Sequence, residues 1–459
     1  STDAGYFNGD VNVSHVLRLG LPLGVNGGAE ENWGRLLKDY TTVNSWMAQG
    51  TQLPPGVTAA GLPDNNSIRR FERIHAKYLG LGNLFYPESQ LVDLLPHAGV
   101  ARDHGLKLHL WTNIRMAPNT TMVPGEDPAL DFRKFPDSLQ RDKKGNLLQC
   151  WDGFSMNPSP HFSFAQFELK RITDWVTKYK LDGVFLDFYG DTTDVDESRV
   201  YEQFPFYPLQ VAEIEFAKAI YTWCKAQSPP KYFVINCPQA SMAVQHLADW
   251  VTCDSTGIHD HWSMGDRLVS KAFGKRHVLL PQLGPPATSD LWLQNGLRSL
   301  FYGEIPAPWQ SPAAGADSDA KMIDWMAEAT YPLAVMMANA QPLGGDFSAL
   351  WSCIDNGASN VSNAAFIALN NDGNTVQRMI VALSQYYELP SSQHFEVVLW
   401  DGLVQFSTLA SGSGNYLSRM PFTVGLKPNE TKVLAFVPPG VLKVDELQSD
   451  KLRAPPVVI

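Results

Sequence analysis

Asp187 stands in the stretch LDGVFLDFYGDTTDVD (181–196), directly after the apolar run Val184-Phe185-Leu186, and Asp254 stands likewise after Trp250-Val251-Thr252-Cys253. Carrying a carboxylate to the tip of a buried strand sacrifices hydration worth several kcal/mol unless a partner compensates. Such residues are candidates for chemistry. Two acids delivered at the same ends of two parallel strands face one volume. The reaction that needs such a pair is glycoside hydrolysis: one carboxylate attacks the sugar or activates water, and the other protonates the departing oxygen. A separation of about 5–5.5 Å gives retention of configuration, and about 6.5–9.5 Å gives inversion.

Groups suited to hold a sugar follow other predicted strand ends. Trp111, Asn113 and Arg115 come after one strand; Trp151, Asp152 and Asn157 precede the Asp187 strand; Tyr189 and Asp191 follow it. His259, His261 and Trp262 follow Asp254, and Trp309 and Gln310 follow the last strand. Trp stacks on the apolar face of a pyranose, while Asn, Asp and His bond its hydroxyls. Glu304, expected at the end of a late strand, is a third acid and the partner of Asp187 in an alternative inverting or endo-acting scheme. Asp182 opens the Asp187 strand and reads as a turn residue; Asp249, Asp260 and Asp266 are rivals to Asp254.

Other chemistries find less support. The run DTTDVDE (191–197) lacks the spacing and glycine of a calcium loop. His259-Asp260-His261 has no zinc-protease context, G-x-S-x-G is absent, and the glycines of PLGVNGGAEENW (22–33) miss the dinucleotide spacing. No metal and no cofactor are expected. A non-catalytic carbohydrate-binding protein is the competing class, disfavoured by acids at both strand ends.

Positioning these residues takes alternating elements. Strands are expected over 15–23, 81–87, 105–113, 181–187, 231–238, 249–255, 277–283 and 299–307, and helices over 91–105, 162–180, 209–227 and 241–248. In the second helix Phe164, Phe167, Ile172, Trp175, Val176 and Tyr179 share one face. Fully apolar strands alternating with helices imply a parallel sheet covered on both sides. Some eight strands over roughly 340 residues predict an α/β fold of the (β/α)8 TIM-barrel type, with catalytic groups at the carboxyl ends of the strands. The pattern changes near residue 356: short strands follow, and the run 363–384 has two apolar segments around Asn371-Asp372-Gly373, the signature of a hairpin. The expected organisation is a catalytic barrel over 1–355 and a C-terminal antiparallel β-sandwich over 356–459.

At 459 residues the chain is long enough for both units. A net charge of −11 argues against a nucleic-acid partner, and no 18-residue apolar run is present to span a membrane. The five cysteines (Cys150, Cys224, Cys237, Cys253, Cys353) have no metal-ligand spacing. Sequons at Asn12, Asn65, Asn119, Asn360 and Asn429 lean toward a secreted glycoprotein. The partner expected is an oligo- or polysaccharide or another glycoside; oligomeric state is left open.

The segment YKLDGVFLDFYGD (179–191) resembles the nucleophile strand of the retaining α-glycosidase superfamily that includes melibiase-type α-galactosidases and α-glucosidases. DWVTCDSTG (249–257) is similar to its W-x-S-D-x-T segment, with one residue more between Trp250 and Asp254. HGLKLHLWTN (104–113) and RDKKGNLLQCWDGFSMNPSP (141–160) resemble pocket-forming segments of the same group. The resemblance implies an α-glycosidase with Asp187 as nucleophile and Asp254 as acid/base. Phe185 stands where the α-galactosidases carry a sugar-gripping Lys, so galactose is not implied. The Asp-Phe-Tyr-Gly ending (187–190) is also similar to endo-acting α-N-acetylgalactosaminidases, which act on larger or N-acetylated glycans.

Overall fold

The computed structural model describes residues 42–43, 78–82, 85, 87–103, 105–120, 126–150, 153–187, 195–197, 199, 207–236, 247–255, 277–281, 304–306, 348–352, 364–371, 374–385, 387–401, 406–428 and 430–442. The chain runs through β1 (Thr42–Val43), β2 (Tyr78–Gly82), α1 (Glu88–Asp103), β3 (Lys107–Thr112) and the short strands β4 (Met116–Pro118), β5 (Gln149–Cys150) and β6 (Gly153–Ser155). It continues with α2 (Ser163–Lys178), β7 (Gly183–Leu186), β8 (Val195–Asp196), β9 (Tyr207–Pro208) and α3 (Leu209–Ala226). Strands β10 (Tyr232–Asn236), β11 (Trp250–Ser255), β12 (His277–Pro281) and β13 (Glu304–Pro306) follow.

Eight of these strands form one sheet in the order β1-β2-β3-β7-β10-β11-β12-β13, and every neighbouring pair is parallel. The spatial order never reverses. A doubly wound sheet needs such a reversal, so that arrangement is excluded for these strands.

The strands alternate strictly between two environments. Leu108, Leu110, Val184, Leu186, Phe233 and Ile235 pack with Ile172, Val176, Phe216 and Ile220 of α2 and α3 in one buried core. The intervening residues His109, Trp111, Phe185 and Val234 are also buried, on the other face. Burial on both faces is why these strands read as unbroken apolar runs.

Helix α2 is capped from a distance. Its Ser163 and Phe164 N–H groups donate to the Asp137 carboxylate at 2.8 Å and the Ser138 hydroxyl at 2.9 Å. At its other end Lys180 takes a left-handed φ of 53°, and the Leu181 N–H returns to the Val176 carbonyl at 2.9 Å. That reversal ends the helix and feeds β7 back into the sheet.

The strand predicted over 15–23 lies outside the described residues, as does most of the helix predicted over 241–248. The strand predicted over 81–87 is found earlier, at Tyr78–Gly82. Phe85 belongs instead to a satellite core with Ala117, Leu130, Phe135 and Met156, formed by the long excursion between β3 and α2.

The C-terminal strands are β14 (Ser348–Ser352), β15 (Ala365–Asn371), β16 (Gln377–Val381), β17 (His394–Trp400) and β18 (Phe406–Ser413), then the short helix α4 (Gly414–Arg419), β19 (Phe422–Leu426) and β20 (Glu430–Val437). They form an antiparallel sheet β14-β15-β20-β17-β18 and a second, β16-β19, whose side chains meet in one core. One expectation is corrected. The runs either side of Asn371-Asp372-Gly373 do not pair as a hairpin: β15 pairs with β14 and β20, while β16 pairs with β19. β15 is buried along its whole length, and a direct β16 partner would leave β19 without its ladder. Ser348–Ser352, just before the change of pattern near 356, also pairs with β15.

One glycine is fixed by packing. A Cβ on Gly183 would come within 2.8 Å of both Cβ and the carbonyl oxygen of Tyr232 on the neighbouring strand. Backbone cannot yield there without opening the β7–β10 ladder. Gly183→Ala is therefore expected to lower stability by about 1–3 kcal/mol; urea denaturation checks this, and an unchanged midpoint would contradict it.

Candidate active site

The site is built on the pairing of β3 with β7. His109 is in register with Gly183, Trp111 with Phe185 and Thr112 with Leu186. The next residues are Asn113 and Asp187, and the Asp187 N–H still donates to the Thr112 carbonyl at 2.8 Å. Asp187 is only 2 % exposed. Alternation places it on the side of Phe185 and Trp111, away from the helices. Below it the wall is uncharged: the Phe185 ring stacks on His109 at 5.6 Å and meets the edge of Trp111 at 5.7 Å. Burial pushes the His109 pKa down from 6.5 to about 3, so the imidazole is neutral.

Register then relates Asp187 to Asp254. Leu186 pairs with Ile235, Ile235 with Val251, and Asn236 with Thr252. Asp187, one residue past Leu186, is level with Asn236 and Thr252. Asp254 follows Thr252 by two residues within β11, opposite Leu280 of β12. It thus occupies the same alternating set of rows as Asp187. Two strand spacings separate their backbones laterally, about 10 Å, with a rise of about 7 Å along the strand. Glu304 differs. It opens β13 rather than ending it, and its row runs through His277, Val251 and Ile235 to Leu186, the row of the helix-facing core.

Acids at the opposite strand ends are structural. The Asp182 carboxylate accepts the Leu108 N–H at 2.8 Å. Asp249 takes both oxygens to Lys225 Nζ, at 2.6 and 2.7 Å, and accepts the Phe233 N–H at 2.7 Å. Asp249 is thereby accounted for; Asp260 and Asp266 lie outside the described residues.

Charged groups back the site from the helix side. Arg171 Nε and Nη2 donate to Glu168 Oε2 at 3.0 and 2.8 Å, and Nη2 reaches the Thr112 hydroxyl at 3.3 Å. Glu168 is wholly buried, and burial pushes its pKa up against the opposing pull of Arg171. Arg115 Nε stands 3.7 Å from Glu213 Oε1, and Glu213 on α3 is wholly buried. Neither pair was expected from sequence. The signal for the first was an i, i+3 acid–base pair inside an apolar helix face.

The loops after β3 and β7 are bonded together. Arg199 donates to the Leu139 carbonyl at 2.7 Å and also bonds Asp196 and the Asp137 carbonyl; Lys143 pairs with Glu197 at 3.1 Å. Asn157 belongs to this joint. Its side chain is fully buried, accepts the Ser159 N–H at 3.1 Å and donates to Asp196 at 3.4 Å.

Of the predicted site residues, Trp111, Asn113, Arg115 and Asp187 are brought together at the carboxyl end of β3 and β7. Asn157 is engaged within the loop joint, and Asp254 and Glu304 are fixed by register. Trp151, Asp152, Tyr189, Asp191, His259, His261, Trp262, Trp309 and Gln310 lie outside the described residues. Among the described residues no group of three or more His, Cys, Asp or Glu could hold a metal ion, and no helix is long and apolar enough to cross a membrane.

This sheet and its C-terminal β unit constitute a fold shared with glycosidases. No family model and no curated protein matches the sequence. Among solved structures, the chain is similar to a β-L-arabinopyranosidase from Geobacillus stearothermophilus, with a TM-score of 0.52 at 10% identity, over 90% of this chain and 99% of that one. An α-galactosidase from Lactobacillus brevis gives a TM-score of 0.53 at 11% identity, over 89% of this chain and 58% of that one. A maltogenic α-amylase from Thermotoga neapolitana gives 0.50 at 11% identity, over 87% and 99%. At such identities the likeness is one of fold.

The neutral His109 has a consequence for acid stability. The unfolded chain binds a proton at this residue as pH falls through about 6.5, whereas the folded chain resists until about 3. Between those values acidification favours the unfolded state; above 6.5 the residue adds no pH dependence. The loss is on the order of 2–3 kcal/mol by pH 4.5. His109→Gln should remove it, so the stability gap between wild type and variant narrows from pH 7 to pH 4.5 in urea titrations. Parallel pH profiles would contradict this.

Proposed function

We propose that the chain is a glycoside hydrolase that cleaves α-glycosidic bonds with net retention. The observation that carries this is the placement of Asp187: nearly inaccessible, at the carboxyl end of a central parallel strand, above an uncharged aromatic wall. The fold likeness to glycosidases supports the same class of reaction. In this reading the eight-stranded sheet closes into a barrel, and the substrate sits over the carboxyl ends of β3, β7 and β11.

Asp187 attacks the anomeric carbon and forms a glycosyl ester while Asp254 gives its proton to the departing oxygen. Asp254 then takes a proton from water, the resulting hydroxide attacks the anomeric carbon, and Asp187 is released. Each half-reaction inverts the centre, so the first-formed sugar keeps the α configuration. The lateral and axial offsets combine to a backbone separation of about 12 Å, and barrel curvature, which turns same-face side chains inward, brings the two carboxylates together over one pyranose. Trp111 and Arg115 contribute to the floor and rim, and the expected extracellular setting fits a glycan substrate.

Asp187→Asn is expected to reduce turnover of aryl α-glycosides by at least about 10⁴-fold with the melting temperature unchanged. Asp254→Ala should also lose rate, recover part of it on an activated aryl leaving group with added azide, and yield the α-glycosyl azide. NMR of the first-formed product identifies the anomer. A β product would replace the double displacement by an inverting scheme, and near-normal hydrolysis by the Asp187 variant would sink the assignment.

A further inference from the structure

Asn113 carries a feature the proposed chemistry does not use. The residue is 1 % exposed, and its side-chain nitrogen Nδ2 has no hydrogen-bond partner among the described residues. Leaving a buried amide donor unmet costs about 1–3 kcal/mol, so the arrangement calls for an acceptor supplied from elsewhere. The direction of the amide is not free to change. Its Oδ1 accepts the Arg115 N–H at 2.8 Å, and only an oxygen can occupy that position opposite a backbone donor.

The segment is held at both ends. Thr112, just before Asn113, is locked in the ladder by the Asp187 N–H and reached by Arg171. Arg115, two residues after it, lies 3.7 Å from the buried Glu213. What is offered beside Asp187 is therefore a rigid pair of N–H donors, with no acceptor and no charge. By the β3–β7 register, Asn113 is the residue level with Asp187, so whatever covers the carboxylate also meets the amide.

We infer that Asn113 is a specificity-determining residue whose amide reads an acceptor oxygen on the sugar bound over Asp187. The inference rests on the glycosidase reading. The oxygen is either a ring hydroxyl or the carbonyl of an acetamido substituent; the donor pair serves both. A site built around such a buried donor discriminates strongly against analogues lacking its partner, because the donor is then left dry and unmet.

The test is a series of aryl α-glycosides: parent hexosides, their monodeoxy analogues at each position, and the 2-acetamido-2-deoxy counterparts. With wild-type protein, removing the recognised oxygen should lower kcat/KM by about 100-fold or more at one position only. If the hydroxyl is read, the loss falls in the deoxy series; if the acetamido carbonyl is read, it falls on the plain hexoside. Asn113→Ala should hydrolyse the substrate and its deficient analogue at rates within about threefold of each other. Asn113→Ser keeps a neutral acceptor for the Arg115 N–H but removes the amide donors, and should lose the same selectivity while retaining the wild-type melting temperature.

Turnover by wild type without a position-selective loss overturns the inference and leaves the glycosidase reading standing. So does an equal slowing of every substrate in the Asn113→Ser protein. No turnover across the whole series overturns the glycosidase reading and this inference with it.

Discussion

The hydrogen bond from the Asp187 N–H to the Thr112 carbonyl, at 2.8 Å, is the constraint on which the site depends. It extends the β3–β7 ladder one residue beyond the strand proper, so the carboxylate is held at a fixed height and on a fixed face. A slip of one residue in either strand would exchange the two faces. Leu110 and Leu186 would then leave the helices, and Trp111 and Phe185 would enter a core shaped for aliphatic side chains. The packing of α2 and α3 against Leu108, Leu110, Val184 and Leu186 therefore enforces the register that aims Asp187. Hydrophobic burial fixes the geometry of a charged group that it does not touch.

The same residue type has opposite meanings at the two ends of a strand. Asp182 and Asp249 precede β7 and β11, where neighbouring backbone N–H groups and Lys225 satisfy them. Asp187 and Asp254 come at the carboxyl ends of their strands. Behind this edge the helix layer carries Glu168 with Arg171, and Glu213 with Arg115. A buried ion pair is seldom favourable over a well-packed apolar pair of equal size. Its worth here is directional: Arg171 fixes the Thr112 hydroxyl, and Arg115 fixes the segment that holds Asn113.

Much of this was legible in the chain. Apolar runs ending in acids gave β7 and β11, and the alternation of strands with helices gave a parallel sheet without reversal. What escaped the sequence was decided by contacts far apart along it. The charged pair on α2 interrupts the apolar face that Phe164, Ile172 and Trp175 define, and nothing local says that Thr112 will receive Arg171. The run Asn371-Asp372-Gly373 has hairpin chemistry in sequence, yet the next strand crosses to the other sheet because β20 already fills the edge of β15. Glu304 lies near the end of the run 299–307 expected as a strand; the strand described there is Glu304–Pro306, and its pairing with β12 puts Glu304 at the start. Asn157 has a residue type suited to sugar binding, but complete burial and its bonds to Ser159 and Asp196 engage it in joining two loops.

The uncharged wall beneath Asp187 constrains how a ligand can be recognised. A cation placed there would hold the carboxylate and a sugar hydroxyl together by charge, and charge tolerates small displacements. His109, Trp111 and Phe185 exclude that mode from below: burial keeps the imidazole neutral down to about pH 3, and the two rings present carbon. Orientation must then come from the rim, by hydrogen bonds that weaken steeply with misalignment. Neutral donors recognise by geometry, so they must be held rigidly to be selective. The fixing of Asn113 by the Arg115 N–H, and of Arg115 by the buried Glu213 carboxylate on α3, supplies that rigidity where the wall supplies none.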